Sequence, residues 1–279
     1  YLHRGFEKMC ERGTWTHCFP YADRLNYASP MLNNVGFALA VEKLAGITAP
    51  DRAQVIRVIV GEISRITDHL TCLGMAASEI GAISAGFYML EAREYLYDLV
   101  EAISGARLTV TYGRLGGVTK DLPPDMTERL AFALKHTDAV MLDCDKLLSR
   151  NRIFMDRMTG VGIVSQQDAL DFGLTGPLLR ATGVSYDVRK HAPYLWYDRF
   201  EFDVPTGTRG DNYDRYMVRF HEIRQSMRIL DQAMKALPDG PVIANDPRFV
   251  LPPKQEVYGS IEGLMNHFKL VIEGQKIPP

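Results

Sequence analysis

The sequence has little that would indicate a metal site, a membrane span or a nucleic-acid-binding surface. It contains only four cysteines in 279 residues, and no two stand three positions apart, which excludes a CxxC pair. No apolar run approaches the roughly 20 residues that cross a bilayer. The net charge of -2 lacks the basic excess typical of nucleic-acid binders. Without a disulfide framework, a reducing compartment is expected.

What is present is ordinary for a globular protein, with 46% apolar and 24% charged residues. No βαβ alternation occurs, so a parallel sheet is not expected. Apolar spacing of three and four predicts helices over residues 34–45, 51–75, 87–103, 127–149, 166–172, 212–237 and 258–273. A turn-rich segment is expected at 113–124 and an irregular one at 184–208. The sequence therefore predicts a single, mostly helical domain over 1–279.

One stripe of polar residues forms a second face of the helix predicted over 51–75. Glu62, Arg65 and His69 fall at helical offsets of three and four, so they share a face. His69 ordinarily titrates near physiological pH, which makes it a candidate to respond to a nearby change of charge. A solvated or interface helix face is the alternative interpretation of the same stripe.

Tyr27 is the first candidate for chemistry. A phenol both donates and accepts hydrogen bonds, with an ordinary pKa near 10. It can hold a carbonyl oxygen and release a proton as negative charge develops there. A buried tyrosine with a satisfied hydroxyl is the alternative. No metal site is expected, because His221 and His267 do not form a two-histidine ligand motif.

The chain resembles a known family along almost its whole length. Characteristic blocks include His3-Arg4-Gly5, Arg24-Leu25-Asn26-Tyr27 and Gly61-Glu62-Ile63-Ser64-Arg65. Further blocks follow in order at 40–44, 50–53, 91–94, 116–123, 176–180, 186–190, 202–205 and 209–211. These blocks are similar to the hydrogenase-derived large subunit of respiratory complex I, the D-type subunit of NADH-quinone oxidoreductase.

The resemblance implies roles for individual residues. Tyr27 would bind the quinone head group, with a partner histidine on an N-terminal loop that precedes the matching region. Arg4, and with it His3, would lie beside the terminal 4Fe-4S cluster of a partner subunit, where a positive charge raises the reduction potential. Glu79 stands where several members carry an aspartate that pairs with the loop histidine. His69, Glu62 and Arg65 would be further quinone-site and coupling candidates.

The resemblance also implies a setting. The fold would be a helical body like the nickel-iron hydrogenase large subunit, and the chain a fragment lacking an N-terminal β-rich segment and a C-terminal segment. Quinone would be the substrate, no cofactor would be bound by this chain alone, and NAD would bind another subunit. Expected partners are an iron–sulfur subunit of B type, peripheral-arm subunits of C and I types, and a membrane subunit of H type.

Such a subunit would work only within a proton-translocating complex. It would lie peripherally on the cytoplasmic side of the cell membrane, or on the matrix side of the mitochondrial inner membrane. Two other functions compete with this one. A nickel-iron hydrogenase needs thiolates where this chain has Asn26 and Ser29. A non-catalytic scaffold would only bridge other subunits, and Arg180, Arg189 and Lys190 would suit such an interface.

Overall fold

Helices make up most of the regular structure. The computed structural model describes residues 5–246 and 253–273, with side chains as far as residue 268. The helices are α1 (Phe6–Cys10), α2 (Trp15–Ala22), α3 (Pro30–Ala45), α4 (Asp51–Glu79), α5 (Ile83–Ser104), α6 (Met126–Cys144), α7 (Arg152–Met158), α8 (Gln166–Asp171), α9 (Gly176–Ala181), α10 (Val188–His191), α11 (Asn212–Lys235), α12 (Lys254–Gly259) and α13 (Ile261–Glu273). A π-helical turn (Asp145–Ser149) follows α6, and a 3-10 turn (Tyr197–Arg199) follows α10. The prediction of a mainly α fold is confirmed.

The chain divides into two compact units. The first unit contains 1–57, 108–121 and 238–279, and the second contains 58–107 and 122–237. Helix α4 contributes residues to both. The units are described separately below, and the expectation of one domain stays a prediction.

The first unit is built around α2, α3 and a short hairpin. Strands β1 (Gly113–Arg114) and β2 (Gly117–Val118) pair antiparallel, with Gly113 opposite Val118. The buried apolar cluster comprises Phe19, Ala38, Val41, Ile47 and Leu115. Helix α3 starts with a proline in its first turn, where a missing N–H costs nothing, and ends at Gly46 in the left-handed conformation.

A buried ion pair joins the hairpin to the helices of the first unit. Both oxygens of Glu42 accept hydrogen bonds from Arg57, at 2.5 and 2.8 Å. Glu42 also accepts the Gly116 N–H at 2.7 Å, while Arg57 donates to the Arg114 and Gly117 carbonyls. Because both carboxylate oxygens of Glu42 are paired, this residue stabilises the fold.

Gly117 lies where two backbones come very close. An added Cβ would stand 2.1 Å from the Val242 carbonyl oxygen and 2.7 Å from the Ile243 Cα. We expect Gly117→Ala to lower the free energy of unfolding by about 1–3 kcal/mol, because overpacking forces the backbone to shift. Urea unfolding of the full-length protein measures this change.

The matched control is Gly36→Ala in α3. No atom lies within 4 Å of an added Cβ there, and alanine favours a helix over glycine by about 1 kcal/mol. Equal loss of stability in both variants would show that the close approach at Gly117 does not matter.

The second unit is a helical assembly with an apolar core. Ile59, Ile63, Ile66 and Leu70 of α4 are fully buried, as the predicted helical spacing requires. Helices α4 and α5 approach closely, since a Cβ on Gly86 would lie 2.8 Å from the Gly74 carbonyl oxygen. Among the residues that the structure describes, no helix has both the length and the apolar character to cross a membrane.

The helix boundaries differ from the predicted ones in several places. Helix α4 runs four residues further than expected, and the turn-rich segment contains the hairpin. The helix predicted over 127–149 changes to a π-helical turn at Asp145, and the one predicted over 258–273 is interrupted at Ser260, whose backbone is extended. Five short helices were not predicted: α1, α2, α7, α9 and α10. Helices this short form mainly through tertiary packing, which periodicity does not reveal.

Candidate functional site

Tyr27 lies in an exposed turn of the first unit, between α2 and α3. Its side chain is 62% exposed, although it is a large aromatic residue. The alternative of a buried tyrosine is therefore wrong. A phenol in this position can be reached by a ligand or by another protein.

A buried carboxylate holds this turn. Asp23 is fully buried, and its two oxygens bind Arg24 Nη1 at 2.7 Å and the Thr111 hydroxyl at 2.6 Å. Arg24 also donates to the Pro20 carbonyl at 2.6 Å. Because Thr111 precedes the hairpin, these bonds fix the turn against a second segment of the unit. The turn that carries Tyr27 is therefore anchored at its start.

The two positions where a hydrogenase would carry cysteines are in contact with each other. Asn26 Nδ2 donates to the Ser29 hydroxyl oxygen at 2.6 Å. An amide and a hydroxyl do not replace thiolate ligands to a soft metal. Within the described residues, no three His, Cys, Asp or Glu side chains converge to hold a metal ion.

In the second unit, Glu62 is the centre of a buried network of charges. Its carboxylate accepts from Arg65 Nε at 3.2 Å, Arg189 Nη1 at 3.0 Å and the Tyr197 hydroxyl at 2.6 Å. Arg189 in turn binds Asp187 at 2.7 Å. Two carboxylates and two guanidinium groups thus compensate one another in the interior, so a solvated face is the wrong interpretation of Glu62.

The network strongly favours the ionised form of Glu62. Burial alone would raise the pKa of this carboxyl, but the charges of Arg65 and Arg189 outweigh burial and hold it at about 2. Asp187 likewise has its pKa lowered to about 2, since the hydrogen bonds and charge of Arg189 overcome the effect of burial. Both carboxylates remain charged at any physiological pH.

His69 belongs to a second buried group on the same helix. Its Nε2 lies 2.9 Å from Glu222 Oε2, and the other oxygen of Glu222 accepts from Arg180 Nε at 2.6 Å. Burial lowers the pKa of His69, and the bond to Glu222 offsets this only in part. His69 is therefore neutral at neutral pH, which corrects the expectation that it titrates near its ordinary value.

The lowered pKa of His69 predicts a specific pH dependence of stability. As the pH falls through about 6.5, the unfolded chain binds a proton on this residue before the folded chain does. Acidification from pH 7.5 to 5 should therefore reduce the free energy of unfolding. His69→Gln retains a group able to bind Glu222 but cannot titrate, so it should lose less stability over this interval.

Chemical denaturation at the two pH values tests this expectation. His136→Gln, at a less buried imidazole in α6, controls for the loss of one histidine. If His69→Gln and the unchanged protein lost the same stability, the lowered pKa would be refuted.

Glu79 ends α4 and is exposed. It lines a cavity of about 340 Å³ in the second unit, together with Arg215, Tyr216 and Arg219. Arg215 already donates to the carbonyls of Gly162 and Gly210, both at 2.7 Å. The cavity thus combines an exposed carboxylate with two positive charges.

The structure brings some predicted residues together and leaves others apart. Glu62 and Arg65 are bonded, and Arg65 also contributes to the lowered pKa of His69. Glu79 lies by a separate cavity, and Tyr27 lies in the other unit. His3 and Arg4 lie outside the described residues.

Sequence reasoning missed the partners of these candidates. Arg180 and Arg189 were interpreted as interface residues, but both are buried and bonded to Glu222 and Glu62. Tyr197 lies in the segment over 184–208 that is expected to be irregular, and nothing there predicts its bond to Glu62. The available signal was that Arg180 and Arg189 stand in family blocks. Their pairing with Glu222 across 42 positions and with Glu62 across 127 positions cannot be read from spacing.

Comparison with known proteins shows which family the chain is similar to. Residues 79–279 match the family described as the respiratory-chain NADH dehydrogenase, 49 Kd subunit. The chain is 57% identical over 279 residues to a D-type subunit of NADH-quinone oxidoreductase from Sorangium cellulosum, covering 100% of this chain and 69% of that protein. It is 54% identical over 278 residues to the D-type subunit of the Myxococcus xanthus enzyme, covering 100% and 67%.

A fused relative is also similar. The C/D fusion protein of NADH-quinone oxidoreductase from Bdellovibrio bacteriovorus is 47% identical over 278 residues, covering 100% of this chain and 50% of that protein. The chain therefore spans between half and about two thirds of the length of these three relatives.

Proposed function

The chain belongs to the family of the 49 kDa subunit of respiratory-chain NADH dehydrogenase, and we propose that it forms part of a site where quinone is reduced to quinol. The reaction needs a group that holds a quinone carbonyl oxygen and supplies a proton as negative charge develops on it. Tyr27 is the residue of this chain that we assign to that role. The likeness to hydrogenase would then be one of ancestry and fold, without nickel chemistry.

One observation carries this proposal: Tyr27 is exposed on a turn anchored by the buried Asp23. Fixed placement of a hydrogen-bond donor lowers the cost of orienting it during reaction. A phenol held in this way can contact a quinone head group at its junction with a neighbouring subunit. The protein contributes position and a proton, and the cofactors carry the electrons.

We place coupling in the second unit. Reduction of quinone consumes protons and so changes the charge near the site. In this proposal Glu79, a solvent-exposed carboxylate at the end of α4, would respond to that change of charge, as would Glu62, Arg65 and His69. In this proposal the charge change drives ion translocation in a separate membrane arm.

The proposed partners follow from the family. Electrons would come from a 4Fe-4S cluster on a B-type subunit, with Arg4 and His3 beside it, and NADH would be oxidised elsewhere in the complex. The remaining partners would be peripheral subunits of C and I types and a membrane subunit of H type. The relative named as a C/D fusion supports the C-type partner, since fused chains belong together. The assembly would be peripheral, on the cytoplasmic or matrix side of its membrane, and this chain would be inactive alone.

A photoreactive quinone tests the site in the assembled complex. We expect the label in the tryptic peptide spanning residues 25–43, which contains Tyr27, and we expect excess unlabelled quinone to abolish it. The peptide spanning 136–146, from α6 and the following π-helical turn, serves as the reference for non-specific labelling. If the chain were only a scaffold, excess unlabelled quinone would not reduce the labelling of this peptide. That result would refute the proposal.

A further inference from the structure

Two cysteine residues contact each other in the first unit. Cys10 is the last residue of α1, and Cys18 lies in the middle of α2. The Cys18 sulfur is 3.7 Å from the Cys10 carbonyl oxygen and 3.5 Å from the Thr14 carbonyl oxygen. The turn between the helices therefore folds the two cysteines against each other.

Both cysteines line one cavity of about 490 Å³. Its wall also includes Trp15 and Phe37, with Glu7 at the edge. Cys10 is half-buried, whereas Cys18 is only 3% exposed. A small solute that enters the cavity can thus reach Cys10 first, with Cys18 behind it.

The other two cysteines are placed differently. All four are free thiols. Cys72 is exposed and lines the cavity beside Glu79, whereas Cys144 is buried with its sulfur 3.9 Å from the Ala85 carbonyl oxygen. No second cysteine is among the described residues that line the Cys72 cavity.

We propose that Cys10 and Cys18 form an oxidation site at which a peroxide converts the two thiols into a disulfide. The Cys10 sulfur attacks the peroxide O–O bond, giving a sulfenic acid and one water. The Cys18 sulfur then attacks the sulfenic sulfur and displaces its hydroxyl, which leaves as a second water with the Cys18 proton. The two thiols lose two electrons, and the peroxide gains them.

The surroundings of the two thiols indicate which one reacts first with the peroxide. Burial, together with a hydrogen bond to Cys10, raises the pKa of Cys18 to about 12. Cys18 therefore stays protonated and is a poor first nucleophile. It is placed as the resolving thiol, because its sulfur already contacts the Cys10 backbone at 3.7 Å.

Peptide mapping of the full-length protein in its native complex tests the proposal. Trypsin separates the two cysteines, which lie in the peptides 9–12 and 13–24. After peroxide treatment and alkylation, we expect these peptides linked, with two hydrogen atoms lost and the link reversed by a thiol reductant. The link should be about tenfold more abundant than any link to Cys72, since exposure alone does not supply a resolving partner.

Two variants define the roles of the thiols. In Cys18→Ser the sulfenic acid on Cys10 has no resolving thiol, so dimedone should trap it. In Cys10→Ser the buried Cys18 should remain reduced. The proposal is overturned if both thiols oxidise to separate sulfinic acids without a link. It is equally overturned if the link forms as fast in urea as in the folded protein, because placement would then be irrelevant.

Discussion

Tyr27→Phe is expected to lower the rate of quinone reduction by about 10²-fold, because it removes the hydroxyl that we propose as the proton donor, and such a group typically contributes 10²–10⁴-fold. The phenyl ring keeps the shape of the side chain and its apolar contacts. The loss of activity should therefore appear mainly as a lower kcat and much less as a change in KM. The measurement is NADH-dependent quinone reduction in membranes that contain the assembled complex.

Because Tyr27 lies in an exposed turn, Tyr27→Phe should change little besides the hydroxyl group. Tyr27 is 62% exposed, so removal of its hydroxyl leaves no buried polar group without a partner. The bonds of Asp23 to Arg24 and Thr111 do not involve the phenol, so the turn should keep its conformation. A fall in activity can then be attributed to the hydroxyl.

Two controls accompany Tyr27→Phe. Electron transfer from NADH to ferricyanide should continue at its usual rate, which shows that the complex is assembled and reduced. Tyr258→Phe, at a 76% exposed tyrosine of α12, should leave quinone reduction unchanged. Full quinone-reductase activity in Tyr27→Phe would refute its role as proton donor, while leaving family membership intact.

Glu62→Gln is expected to destabilise the second unit by about 3–5 kcal/mol, the usual result of removing one partner from a buried ion pair. The carboxylate lies between Arg65 and Arg189 and also accepts the Tyr197 hydroxyl. A neutral amide of the same size leaves Arg189 bonded to Asp187 but removes the carboxylate that Arg65 binds. Urea unfolding of the full-length protein should show the loss as a lower midpoint.

Glu94→Gln in α5 is the matched control in the same unit. Glu94 binds Arg107 at 2.7 Å and Arg93 at 3.1 Å, but its side chain is half exposed. Solvent-exposed pairs contribute about 0–1 kcal/mol, so the expected change is small. If Glu62→Gln and Glu94→Gln lowered the free energy of unfolding by the same amount, burial would not explain how much the Glu62 network contributes to stability.

The long helices were predictable because each is specified locally. In α4 the apolar residues recur every three or four positions, and Asp51 marks its start. In α11 the stop at Pro238 is equally local. The short α2 was missed because it contains Pro20, which ordinarily ends a helix, and because its stability comes from packing of Phe19 in the core.

For each long-range contact of the candidate site, only the residue on α4 could be predicted from the sequence. The offsets of Glu62, Arg65 and His69 on α4 are visible in the sequence. Their partners Arg189, Tyr197 and Glu222 stand 127, 135 and 153 positions away from the residues they bind. Charge and spacing cannot distinguish a buried network from a solvated face when one half of every pair is that distant.

The first unit is assembled from three separated stretches of sequence, and this has a consequence for biogenesis. Gly117 pairs with Ile243, so the hairpin gains its neighbour only after residue 243 has left the ribosome. Such high contact order slows folding and prolongs exposure of incomplete surfaces. Until then Asp23, at the start of the turn that carries Tyr27, can bind Thr111, but the contact between Gly117 and Ile243 is missing. Chaperone dependence during translation should therefore concentrate in this unit.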